Sequence, residues 1–131
     1  MKKQFLSFLI PFICLVILFT INNFIFGENS ILYSDSQYQY YQAFVYLKQL
    51  LDNGSFYSFQ IGLGTSMITT IAYYLGPITN LLVKFFNNIE LFLIITVLVK
   101  ISLCGLTIYN YLKYNYKSKY ILIFSTSYAL S

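Results

Sequence analysis

Four carboxylates, Glu28, Asp35, Asp52 and Glu90, are the acidic groups of this chain, and all lie between residues 28 and 90. There is no histidine, so Ser-His-Asp and Cys-His nucleophilic arrangements cannot be built within it. Any chemistry must run on carboxylates, hydroxyls, amides and lysine. Asp35 stands alone in ILYSDSQYQYYQAF, Ile31 to Phe44, among serines, glutamines and tyrosines. A second candidate is SFYSFQIGLGTS, where Gly62 and Gly64 precede Thr65-Ser66 and an apolar run. A glycine turn feeding a helix N-terminus can present backbone N–H groups to a phosphate. Glycines also mark ordinary turns, and an acid such as Asp35 also suits a helix N-terminus on dipole grounds alone.

These residues sit in a very greasy chain. Of 131 residues, 58% are hydrophobic and 9% charged, against about 25% charged in a typical soluble domain. A water-soluble fold of this length could not hide so much apolar side chain, so lipid is the expected solvent for much of it. The net charge of +4 comes from lysines that are scattered or flank apolar runs. They read as topology signals, and no nucleic-acid surface is expected. Cys14 and Cys104 lie in apolar runs without metal-ligand or CxxC spacing, as packing residues would.

The start, MKKQFLSFLIPFICLVILFTI, has the form of a signal peptide, but its apolar run is long and no small-x-small cleavage site follows. An uncleaved first membrane helix ending near Phe26 is the expectation. Leu91 to Leu112 is about long enough for a second span. Lys2 and Lys3 place the N-terminus in the cytoplasm, and Lys113, Lys117 and Lys119 place KYNYKSK there too. An even number of spans must then separate them. Met67 to Phe86, interrupted by Gly76-Pro77 and carrying Lys84, is therefore read as two short interfacial or re-entrant helices, with a true third span as the alternative. Residues 120–131 read as the start of a further span that stops in mid-helix, as in part of a longer protein or a truncated reading frame. The expected architecture is all-α and polytopic: 1–26 N-terminus and first span, 27–90 extracytoplasmic loop, 91–112 second span, 113–119 basic loop, 120–131 a truncated third.

Within the loop, Ser34-x-x-Gln37 has the form of a capping box and Asn53-Gly54 that of a helix stop. Between them Asp35, Gln39, Gln42, Tyr46 and Gln49 fall at helical spacing as a polar stripe, with Tyr40, Phe44, Leu47 and Leu51 on the opposing side. Such a helix lies on a membrane with its acid and amides toward water, or is simply the solvated face of a packed helix.

The order of these segments resembles the N-terminal end of the bacterial YfhO family of membrane proteins. Asp35 with Gln39-Tyr40 matches the family's "D…Q-Y" element. Gly54, Phe56, Gly62 and Gly64 match its glycine–phenylalanine element, and Tyr73, Leu75 and Pro77 its "Y-x-L-x-P" element. The resemblance implies a GT-C-type glycosyltransferase of the bacterial plasma membrane. Such an enzyme moves sugar from a polyprenyl-phosphate carrier to an envelope polymer such as teichoic acid. It implies Asp35 as the base or acceptor-orienting carboxylate, with Glu28 in support or holding a divalent cation. Substrate would be held by Gln39, Tyr40, Gln42, Gly62, Gly64, Thr65 and Ser66, the backbone of Gly62 to Ser66 meeting the phosphate. No resident metal site is assigned. Two other readings stay open: a small helical protein packing on partner spans through Ser102 and Gly105, and a transporter subunit with Lys100 on a polar path.

Overall fold

The computed structural model describes residues 2–22, 24–25, 29–54, 56–59 and 64–131. They form α1 (Lys2–Ile21), a π-turn (Ser36–Tyr40), α2 (Tyr41–Asn53), β1 (Tyr57–Ser58), β2 (Thr65–Ser66), α3 (Met67–Tyr74), a 3-10 helix (Ile78–Phe85), α4 (Ile89–Asn115) and α5 (Ile121–Leu130). Among the described residues the fold is all-α apart from one two-residue antiparallel ladder, in which Tyr57 faces Ser66 and Ser58 faces Thr65. Two compact units divide the chain: residues 1–29 with 94–131, and residues 30–93.

In the first unit α1 and α4 are long and apolar enough to cross a bilayer, each with a window of mean hydropathy 2.5. Their 20 and 27 residues give lengths of about 30 and 40 Å. A soluble core helix would bury most of such a window, whereas here 11% and 28% are buried. The remaining apolar surface requires lipid, and this is an all-α membrane protein. α1 ends at Ile21, short of the apolar run. Asn22 turns back, its amide donating to the Leu18 carbonyl at 2.8 Å, and Asn29 donates to the Asn22 carbonyl at 2.8 Å. Phe26 lies outside the described residues. α4 begins earlier and ends later than the expected 91–112, because Asn88 caps it. The Asn88 side-chain carbonyl accepts from the N–H of Glu90 at 2.8 Å and of Leu91 at 3.2 Å.

Small residues mark the closest helix contacts of this unit, beside buried Ile94, Leu98, Tyr109 and Ile121. α1 lies against α5, and Ser7, Ser102 and Ser125 are fully buried. A Cβ at Gly105 would stand 2.5 Å from the Ser7 carbonyl oxygen, 3.2 Å from the Pro11 ring and 3.3 Å from the Ala129 methyl. Only glycine allows that approach, and close approach is how helices associate in a solvent as apolar as themselves. Each buried hydroxyl bonds within its own helix, Ser7 to Gln4 O, Ser102 to Leu98 O and Ser125 to Leu122 O. At the surface the Gln4 amide donates to the Asn110 side chain at 2.9 Å, tying the start of α1 to the end of α4. Cys14 is exposed and Cys104 half-buried, so Cys14 does not pack inside as its setting suggested.

The second unit closes on aromatics. Ala43, Phe44, Leu47, Leu75, Val83, Ile89 and Phe92 form its core. Phe44 and Phe86 meet Phe92 at 5.4 and 5.2 Å between ring centroids. α2 packs on α3 and on the 3-10 helix. The interruption between these last two falls at Leu75–Pro77, and neither eight-residue piece is long enough to cross a bilayer. Two lysines then cross-link helix ends: Lys48 of α2 donates to the Phe86 carbonyl, and Lys84 donates to the Leu51 carbonyl at 3.1 Å. Each ammonium thereby meets the carbonyl-rich end of the other helix, where positive charge is favoured.

Candidate functional site

The approach to Asp35 differs from the expected capping box. Ser34 has φ +50, a left-handed conformation uncommon outside glycine. Its backbone carbonyl, rather than its hydroxyl, accepts from the N–H of Gln37 at 3.0 Å and of Tyr38 at 3.2 Å. The box does not form, because an N-cap hydroxyl needs extended backbone to reach the third N–H. Asp35 makes no side-chain capping bond. The helix opens instead with a π-turn, its last bond running from the Tyr41 N–H to the Ser36 carbonyl. Such wide turns are rare and often mark functional sites.

The π-turn also changes the stripe. Each of its turns takes close to one residue more than an α-turn, so steps of four and three do not carry through residues 36–40. Tyr40, expected on the apolar side, is 45% exposed, while Phe44 and Leu47 beyond the turn are buried. Asp35, Gln39, Gln42 and Gln49 are all exposed, and Tyr46 is half-buried. The amides and the acid therefore share the solvated side of one continuous segment, which ends where expected: Gly54 adopts φ +69 and donates to the Leu50 carbonyl at 2.8 Å.

Gly64 is held differently from a free phosphate loop. It sits at φ +106 against the Tyr57 ring, which a Cβ there would strike. The following Thr65 and Ser66 are laid along Ser58 and Tyr57 as β2, and Ser66 leads into α3 without a side-chain cap. Asp35 and this junction belong to segments whose main packing is with α2, and with β1 and α3, respectively. Glu28 and Gly62 lie outside the described residues, as does the Thr65 side chain. Among the described residues no three His, Cys, Asp or Glu side chains group as metal donors.

Two features escaped the sequence reasoning. Glu90, named from the sequence only as one of the four acids, accepts the Ile31 N–H at 3.0 Å, fixing the stretch of chain that leads into Asp35. Asn88 two residues earlier, directly before an apolar run, carried the N-cap signal. The lysine-to-carbonyl bonds of Lys48 and Lys84 had no such signal, since they join residues 38 and 33 positions apart.

Lys100 is exposed on α4, two positions on from buried Leu98 and two before buried Ser102, hence on the side away from the packed small residues. At the other end of this unit, Lys3 shares one cavity with Lys113, Lys117 and Lys119. The two basic clusters separated by nearly the whole chain are thus at the same end of the helices.

No curated protein and no solved structure matches the chain. Residues 7–131 match the family described as bacterial membrane protein YfhO, and with nearly every residue inside that match, the chain belongs to the YfhO family.

Proposed function

We propose that this chain forms the acidic, outward-facing acceptor site of a membrane glycosyltransferase that uses a polyprenyl-phosphate sugar and an envelope-polymer acceptor of teichoic-acid type. The observation that carries the reading is the unusual backbone at Ser34–Tyr40. A left-handed serine and a π-turn together hold an exposed carboxylate at the head of exposed amides. Backbone in sparsely populated regions costs about 1–3 kcal/mol and clusters at functional sites.

In that role Asp35 takes the proton of the acceptor hydroxyl as its oxygen attacks the anomeric carbon, and the lipid phosphate leaves. Gln39 and Gln42 donate to and accept from sugar hydroxyls, and the Tyr40 ring offers a face to the sugar. Glu28 supports Asp35, and the backbone of Gly62 to Ser66 meets the phosphate. The lysines at one end of α1 and α4 make that end cytoplasmic. The segment joining the other ends, with Asp35 in it, is then extracytoplasmic in the bacterial plasma membrane. Against the alternative of a partner-packing protein, Gly105 is already met within the chain by α1 and α5, and Ser102 is already buried.

Replacing Asp35 by Asn tests the proposal. Sugar incorporation into the envelope polymer should fall by two orders of magnitude or more, as for loss of a general base, while membrane insertion is retained. Unchanged incorporation in cells whose only copy is the variant would overturn it.

A further inference from the structure

The basic end of the helical unit holds a site that sugar transfer does not use. A cavity of about 310 Å³ is lined by Lys3 from the start of α1, Lys113 from the last turn of α4, and Lys117 and Lys119 from the connection to α5. The four lysines lining one space carry the same charge, and the flanking sequence holds no acid to offset them: residues 2–21 and 91–131 contain no Asp or Glu. The cavity therefore favours an anion from outside the chain.

Its other walls say which kind. Tyr109 and Ile121, both buried, and Leu122 line it beside the lysines, so cationic and apolar surfaces meet in one cavity at the end of a membrane-spanning helix. Ser118 accepts the Tyr120 N–H at 3.2 Å, and the Lys119 ammonium lies 5.3 Å from the Tyr120 ring centroid. A phosphate with acyl chains attached satisfies both surfaces, whereas a free phosphate satisfies only the lysines.

We propose that this cavity binds the phosphate of an anionic phospholipid headgroup, its acyl chains running along Tyr109, Ile121 and Leu122. Bound lipid would then join α1, α4 and α5 at the end where the four lysines converge.

The test uses the purified protein in phosphatidylcholine nanodiscs with and without phosphatidylglycerol, read by native mass spectrometry and by photocrosslinking from a diazirine acyl chain. Phosphatidylglycerol should be retained in preference to phosphatidylcholine and should crosslink to residues 109–122. The triple variant Lys113→Gln, Lys117→Gln, Lys119→Gln should weaken retention about 100-fold, each basic side chain near the surface contributing about fivefold. The corresponding triple arginine variant should keep retention and control for misfolding. Equal retention by the glutamine variant, or loss in the arginine variant with helicity intact, would overturn the proposal. So would an arm in which inorganic phosphate protects Lys117 and Lys119 from acylation as well as phosphatidylglycerol does.

Discussion

The two units of this chain solve opposite packing problems. Residues 30–93 are held by large side chains, with Phe44, Phe86 and Phe92 closing over Leu47 and Val83, and by lysines bonded to distant helix ends. The unit built on α1, α4 and α5 buries serines and a glycine beside Ile94, Leu98, Tyr109 and Ile121, and exposes many of its other large apolar side chains. The difference follows from the solvent. Where water is excluded by folding, burying an aromatic ring is the main gain. Where lipid surrounds the helix, a phenylalanine gains little by facing inward, and contact depends on how closely backbones approach.

Substitutions can break that comparison. The largest effect is expected from Phe92→Ala, which empties the centre of the aromatic cluster. It should destabilise residues 30–93 by about 3–5 kcal/mol, seen as faster amide hydrogen exchange across α2, with exchange in α1 unchanged. Gly105→Leu should act the other way round. It should push α1 and α5 away from α4 at a cost of about 1–3 kcal/mol, measured as faster amide hydrogen exchange in α1 and α5, while exchange in α2 holds. If both variants loosened both units equally, the contrast would fail. Asn88→Ala, which removes the cap of α4, should cost about 1 kcal/mol and fray residues 89–92 in exchange experiments. The smallest effect belongs to Lys84→Met. Its bond to Leu51 is exposed, so a loss of about 0.5 kcal/mol in denaturant titration is expected. A larger loss would mean that the cross-link between helix ends rivals the rings.

What could be read in advance follows the same division. Apolar length announced α1 and α4, and the glycine after Asn53 announced the end of α2, because each depends on residues adjacent in sequence. Phe44 and Leu47 were legible as an inward face for the same reason. Gly105 was legible as a point of close approach, though not as one met by Ser7 and Ala129 of the same chain. At the candidate site the pattern misled. Ser34 and Gln37 have the right types for a capping box, yet the left-handed backbone of Ser34 turns its carbonyl to the waiting N–H groups instead. No local rule separates the two outcomes, since both satisfy the same donors. The π-turn then displaced Tyr40 from the face that α-helical counting assigned it. Glu90 could not be connected to Ile31 from sequence, because their bond spans 59 positions.

The pairing of α1 with α5 sets a timetable for biosynthesis. One hundred positions separate Ile21, the end of α1, from Ile121, the start of α5. At about 5–20 residues per second, the ribosome needs roughly 5–20 s to cover that distance. For that interval the first helix has been made while α5 has not, and the face of α1 that meets α5 must be covered by lipid or by the insertion machinery. Slowing elongation between codons 22 and 120 would lengthen that exposure without changing a single contact in the finished fold.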